Sequence, residues 1–239
     1  MDTVNEGVPA DRSAALALGI GSAAMVITMS MHPSGPETLA HASHGRGVAL
    51  ARGVHALAMA AVPVLAFGFA RLGVRLRGSG ALSGLALAAQ LTALVAVLFA
   101  GAMSGLVATA VVERMASAGV DANSTGVLQP LLWYTALLNQ AFAAIYVVGS
   151  GAAMIGWSVV LWRAAVRHSA VRHSAVRHSA GAASDGLLRS IAVLGVVTGG
   201  GLVVARLGFV GHLDVRIFGL IVAAQALWQG LLAWRLWRR

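Results

Sequence analysis

The chain has 239 residues, of which 58% are hydrophobic and only 10% are charged, and its mean hydropathy is +0.81. A soluble domain carries about 25% charged residues, so this composition excludes an ordinary soluble protein and predicts one embedded in a lipid bilayer. The absence of cysteine excludes disulfides, thiolate metal sites and cysteine nucleophiles. We attribute the net charge of +9 to loops that contact anionic lipid headgroups, and we expect no nucleic-acid partner.

Six apolar runs are long enough to cross a bilayer as helices, since about 20 helical residues span the roughly 30 Å hydrocarbon layer. Strands are disfavoured, because a transmembrane strand needs only about ten residues with alternating polarity. The sequence therefore predicts an all-α integral membrane bundle that occupies residues 1–239 as a single transmembrane domain. We interpret the first run as a retained helix rather than a cleaved signal. The predicted helices cover residues 13–31, 47–70, 81–112, 127–162, 187–205 and 217–237.

Arginine residues are concentrated in alternate connectors, which predicts the orientation of the bundle. The arginine-rich segments are the second connector, the fourth connector and the carboxyl-terminal tail. Because positively charged loops stay in the cytoplasm, both termini are predicted to be cytoplasmic. All 17 basic residues are Arg, and together with the Ala and Gly bias this indicates a bacterial inner-membrane protein. Interfacial tryptophans are expected at the inner boundary, namely Trp162, Trp234 and Trp237.

A perfect five-residue repeat, AVRHS, occurs three times in residues 165–180. Five residues advance about 140° around a helix, so its Arg and His residues would form no single face. We interpret the repeat as slippage in a tolerant cytoplasmic loop. The alternative is an Arg/His surface that binds anionic lipid or responds to pH. No metal site is assigned to His168, His173 or His178.

Five histidines lie at or near the predicted outer face: His32, His41, His44, His55 and His212. His55 lies about two turns into the second run, where an ionisable side chain is costly and usually faces the bundle interior. We therefore predict His55 as a cofactor-binding residue, and the other four as metal ligands, since neutral imidazole binds transition metals and haem iron. No motif with a fixed ligand count supports either site. The alternative is that these histidines bond only to loops and water at the interface.

The predicted spans contain no carboxylate at depth, which disfavours a proton-relay pump and the acid–base pairs of hydrolysis. Their polar groups are amides: Gln90, Asn139, Gln140, Gln225 and Gln229. We expect these amides to form hydrogen bonds between helices. The alternative is that they line a path for a substrate.

The sequence favours a binding or accessory membrane protein over an enzyme, with outer histidines that hold a transition metal or haem. Two alternatives remain open at this point. One is a small-molecule transporter or channel lined by the glutamines. The other is a haem-linked membrane oxidoreductase, which needs axial histidines facing each other across helices.

Overall fold

A computed structural model describes residues 11–32, 46–76, 80–117, 122–174, 180–208 and 211–238. Within these ranges the chain is helical and has no strand. A π-helical turn, Met103–Val107, joins the helix Ala81–Ala102 to the helix Ala108–Ser117, so that the two form one continuous rod. The helices of the described ranges are α1 (Arg12–Ser30), α2 (Arg46–Arg75), α3 (Ala81–Ala102), α4 (Ala108–Ser117), α5 (Ala122–Ser174), α6 (Ala180–Gly208) and α7 (Val215–Trp237).

The predicted all-α architecture with six long apolar helices is confirmed for the described part of the chain. Most of the helical stretches extend further than the predicted runs, because hydropathy marks the apolar part of a helix and not the end of its backbone hydrogen bonding. The six stretches are long and apolar enough to cross a membrane, which is consistent with a multi-pass membrane protein. They are Arg12–Ser30, Gly47–Arg75, Ala81–Ser117, Gly126–Arg167, Gly186–Gly208 and Val215–Trp237.

The AVRHS repeat differs from the expected loop over part of its length. Helix α5 continues without interruption through Ser174, so the backbone of the first two copies is helical. Ala, Val and Arg support helix formation well enough to extend an existing helix by several turns, since only nucleation is costly. Residues 175–179 lie outside the described part of the chain.

Two aspartates fix where α1 and α7 begin. Asp11 accepts a hydrogen bond from the Ala14 N–H at 3.1 Å, and Asp214 accepts one from the Ile217 N–H at 2.7 Å. Both are N-cap residues with extended backbone, which satisfy amide groups that the first helical turn leaves without a partner.

The bundle is closed by close packing of helices around large aromatic side chains. Helix α1 packs against α2 and α7, while α5 packs against α3 and α6. Phe69 stacks between Trp157 and Trp228, with ring centroids 6.1 Å and 6.5 Å away. Because α1 and α2 run in opposite directions, the end of α1 that carries His32 lies beside the start of α2 that carries His55.

The bundle therefore has two chemically different ends. We call one the histidine end, which contains His32 and His55. We call the other the arginine end, where Asp11 meets Arg71 and Arg75, and where Arg12 lies over the Trp237 ring.

Candidate functional site: a histidine pair in a pocket

A pocket of about 560 Å³ opens at the histidine end. It lies among α1, α2, α3, α5 and the segment that leads into α7. Its lining combines apolar side chains with imidazole, hydroxyl and amide groups. The polar lining includes Thr28, His32, His55, Ser104, Asn139 and Gln140.

Two histidines from different helices meet in this pocket. The Nε2 atoms of His32 and His55 are 3.2 Å apart, and the ring planes cross at 67° with centroids 4.9 Å apart. This distance allows one imidazole N–H to donate to the other ring nitrogen. It is also close to the separation of two nitrogens bound to one tetrahedral ion, about 3.3 Å for bonds of about 2.0 Å.

The orientation of His55 is fixed by the backbone of its own helix. Its Nδ1 atom lies 2.6 Å from the Ala51 carbonyl oxygen, and its side chain is only 6% exposed. A carbonyl can only accept, so Nδ1 carries a proton and donates it. In the neutral ring the lone pair is then on Nε2, the atom that faces His32. Histidine ligands of metal ions are commonly oriented in this way by a backbone carbonyl.

The π turn packs directly against the His55 side chain, at Gly105. A Cβ atom at Gly105 would overlap the His55 Cβ and lie 2.6 Å from its Cγ, so only glycine fits there. Gly105 lies in the middle of the π turn, and such turns occur frequently at functional sites. The Thr109 hydroxyl donates to the Gly105 carbonyl at 2.6 Å and lies 3.1 Å from that of Leu106, so it bonds to the backbone of the π turn.

The register of α1 against α2 brings His32 to its partner. Gly68 receives the Leu18 side chain, and Gly21 receives that of Leu65, so the two backbones approach closely. Further along, the Thr28 hydroxyl donates to the Val54 carbonyl at 3.2 Å. The same antiparallel register places His32, one turn beyond Thr28, opposite His55.

The segment before α7 forms the rim of the pocket. The Gln140 side chain forms two hydrogen bonds with the Leu213 backbone, at 2.8 Å and 3.0 Å. His212, Asp214 and Arg216 line the pocket beside this anchor. Gln140 therefore lies at the histidine end.

Of the five predicted site residues, the structure brings two into contact and a third into the same pocket. His32 and His55 form the pair, and His212 lines the pocket. His41 and His44 lie outside the described residues. Among the residues that the structure describes, no three His, Asp or Glu side chains form a group able to hold a metal ion.

Sequence reasoning missed the residues that support the pair, Gly105 and Thr109. Gly105 is the second glycine of a Gly-x-x-x-Gly pattern, which is expected by chance in a chain with 29 glycines. Nothing in the local sequence marks a π turn.

Two of the buried amides, Gln225 and Gln229, form hydrogen bonds across helices, as expected. The Tyr146 hydroxyl donates to the side-chain carbonyl oxygen of Gln225. The side-chain amide nitrogen of Gln225 donates in turn to the Ser150 hydroxyl at 2.6 Å. The Ser22 hydroxyl donates to the Gln229 carbonyl oxygen at 2.6 Å. Neither Gln225 nor Gln229 lines the pocket at the histidine end.

The arginine end contains a buried carboxylate with several partners. Asp11 is 4% exposed and accepts from Arg71 at 3.0 Å and from Arg75 at 3.1 Å. Burial alone would raise the pKa of Asp11. Hydrogen bonds from Ser13, the Ala14 N–H and Arg75, with the charge of Arg71, nevertheless hold that pKa well below its usual range.

Comparison with known proteins places no constraint on this site. No protein-family model, no curated protein and no solved structure matches the chain. The function must therefore be argued from the geometry of the histidine pair and the pocket around it.

Proposed function

We propose that this chain is a multi-pass membrane protein that binds a transition-metal ion in the pocket at the histidine end, with His32 and His55 as ligands. The observation that carries the proposal is the 3.2 Å separation of the two Nε2 atoms. This separation matches that of two nitrogen ligands of one tetrahedral ion, and the Nδ1 hydrogen bond of His55 gives it the tautomer that a ligand needs. The protein is a binding or accessory protein in this proposal, and not an enzyme.

The size of the pocket supports an exchangeable ion rather than a structural one. Structural zinc sites are closed by four protein ligands, whereas sites that exchange ligands keep positions open. Here two histidines leave at least two positions of a tetrahedral ion facing a pocket of about 560 Å³. Water, a small molecule or other side chains of this protein would complete the coordination.

Haem is less well supported than a single ion. Two histidines that bind haem iron lie on opposite faces of the porphyrin, so their nitrogens are about 4 Å apart, twice a bond of about 2.0 Å. The distance of 3.2 Å between His32 and His55 is too short for this arrangement. The haem-linked oxidoreductase is correspondingly less favoured.

A transport path lined by the glutamines is also less favoured. Gln225 and Gln229 are buried, and each is bonded to a side chain of another helix. Such bonds stabilise helix association in a bilayer. Gln225 and Gln229 are therefore accounted for by packing.

The orientation of the pocket follows from the arginine end. Arg12, Arg189 and Arg238 each lie over a tryptophan ring at 4.4–5.8 Å, on Trp237, Trp162 and Trp234. Tryptophan is enriched at both membrane interfaces, whereas an excess of arginine is typical of the cytoplasmic one. We propose that this end faces the cytoplasm of a bacterial inner membrane, with the histidine pocket open to the outer side.

The test is metal binding by the full chain purified in mild detergent. We expect one ion per chain in titrations with Co(II), Zn(II) or Cu(I). The variants His32→Ala and His55→Ala should each weaken binding by about 100-fold or more, since even the loss of a residue that only orients a ligand weakens it about 10–100-fold. His168→Ala, which removes an imidazole from the distant part of α5, is the matched control and should bind normally.

His32→Ala keeps the test decisive if the buried His55→Ala variant does not fold, because His32 lies at the end of α1. Unchanged binding of all three ions in folded His32→Ala protein would refute the proposal. A Soret band in the purified protein that is lost in His55→Ala would refute it in favour of haem.

A further inference from the structure

The end of α1 that lines the pocket carries two methionines, and a histidine follows it. Met25 and Met29 are four residues apart, so they lie on one face of α1, and His32 comes two residues after the helix ends. All three line the pocket together with His55 from α2. The pocket therefore contains two thioether and two imidazole side chains from a single helix hairpin.

The two methionines are placed differently in the bundle. Met25 is 5% exposed and belongs to the apolar core, whereas Met29 is partly buried, with its terminal methyl group against Gly219 of α7. The absence of a side chain at Gly219 leaves room for the end of Met29. An unbranched thioether can rotate about three bonds, so Met29 can turn its sulfur without displacing a helix.

The charge of the pocket limits the ions that it can hold. Thioethers and neutral imidazoles carry no charge. The charged residues in the described lining are Asp214 and Arg216, which have opposite signs, and the Asp214 carboxylate already caps α7. The free energy needed to bury an ion rises with the square of its charge, so a divalent ion is penalised about four times as strongly as a monovalent one.

We infer that the ion bound in this pocket is Cu(I), held by Met25 and Met29 in addition to His32 and His55. This inference rests on the proposed metal site and deepens it. Thioether sulfur is a soft donor that selects Cu(I), and imidazole also binds copper. Cu(I) is monovalent, so it suits a pocket whose donors are neutral.

The experiment compares Cu(I) with Co(II) on the full chain in detergent, using a chromophoric Cu(I) chelator as competitor. Met25→Leu and Met29→Leu keep the volume of each side chain and remove only the sulfur. We expect each to weaken Cu(I) binding by about tenfold or more and to change Co(II) binding by less than about twofold. Met154 is a buried methionine of α5 that does not line the pocket, so Met154→Leu should leave Cu(I) binding unchanged.

X-ray absorption at the copper edge supplies a second measurement, and we expect sulfur scattering in the wild type that decreases in Met29→Leu. Coordination by nitrogen and oxygen alone, or Cu(I) binding that both leucine variants leave intact, would overturn the inference. Binding of Co(II) or Zn(II) through His32 and His55 without Cu(I) would also overturn it, but would leave the proposed metal site standing. Loss of binding for every ion tested would overturn both.

Discussion

The two ends of the bundle treat buried ionisable groups in opposite ways. At the arginine end, Asp11 is buried but carries two guanidinium partners, a backbone N–H and a serine hydroxyl. At the histidine end, His32 and His55 face each other across a pocket. One end has an ion-pair network with its charge satisfied inside the protein, and the other presents two nitrogens to a space that a ligand can enter.

The difference teaches that burial of a polar side chain does not by itself mark a binding site. Asp11 and His55 are about equally inaccessible to solvent, at 4% against 6% exposure. What separates them is their surroundings, since Asp11 is paired with two arginines and His55 lines a pocket and contacts a second imidazole. Changes at the two ends should therefore have different consequences, stability at one and ligand binding at the other.

The largest effect is expected at Gly105. In Gly105→Ala the new Cβ would overlap His55, and neither backbone can yield easily, so we expect a loss of about 3 kcal/mol of stability. Metal binding should be lost as well, because the imidazole has to move. Thermal unfolding in detergent and metal titration measure the two effects.

Gly101→Ala is the control for that change, four residues earlier on the same rod. A Cβ at Gly101 would meet only Met59 at 3.5 Å, an ordinary contact, and alanine is the better helix former. Its stability should equal or exceed that of the wild type. Equal behaviour of the two alanine variants would show that the π turn does not position His55.

Asp11→Asn should have the next largest effect, and it acts on stability alone. Asparagine caps a helix as well as aspartate does, so the substitution removes the charge and keeps the N-cap. We expect a loss of about 2 kcal/mol, since Arg71 and Arg75 lose a buried charged partner. Metal affinity at the other end should not change.

The pH dependence of the same variant gives a separate test. Because the pKa of Asp11 is lowered in the folded state, its contribution is complete above the unfolded value of about 4. That contribution is lost as the pH falls from there towards the folded pKa. The stability difference between wild type and Asp11→Asn should therefore shrink on acidification below about pH 4, and a constant difference would contradict the ion-pair explanation.

The sequence predicted the architecture because hydropathy reports directly on the solvent around each helix. It also put His32 and His55 at one end of the bundle, where the structure brings them into contact, because consecutive spanning helices alternate in direction. It did not predict their contact, which depends on the register set by Gly21 and Gly68. That register is a property of two surfaces, and a single sequence does not encode it in any local pattern.

Asp11 shows a different limit of sequence reasoning. In the sequence it is an acidic residue just before the first apolar run. The cap could have been recognised, because an aspartate just before a helical run is a typical N-cap. The pairing of Asp11 with Arg71 and Arg75 could not have been recognised, since this ion pairing joins residues about 60 positions apart through tertiary packing.

Tyr146→Phe tests the buried hydrogen bond between Tyr146 and Gln225. Its expected effect on stability is smaller than that of Asp11→Asn. The change leaves the Gln225 carbonyl oxygen without its tyrosine donor, and hydrogen bonds between membrane helices contribute about 0.6–1.7 kcal/mol. We expect a loss of about 1 kcal/mol in unfolding experiments and unchanged metal affinity. Tyr134→Phe, at an exposed tyrosine, should be neutral. A change in metal affinity in Tyr146→Phe would instead link Gln225 to the pocket.

The smallest effect is expected for the exposed ion pair near the pocket. The Arg52 guanidinium contacts the Glu113 carboxylate at 2.6 Å, but both side chains are nearly half exposed. Exposed pairs contribute about 0.2–1 kcal/mol, far less than buried ones, because water solvates each charge in the unpaired state.

Arg52→Gln should therefore lower stability by about 0.5 kcal/mol or less, against about 2 kcal/mol for Asp11→Asn. A double-mutant cycle with Glu113→Gln isolates the energy of the pair. A coupling as large as that of Asp11 with its arginines would mean that Arg52 is held in place from the Thr109 side, where its Nε donates at 3.3 Å. The ion pair would then support the π turn, and the two ends of the bundle would differ less than their exposure indicates.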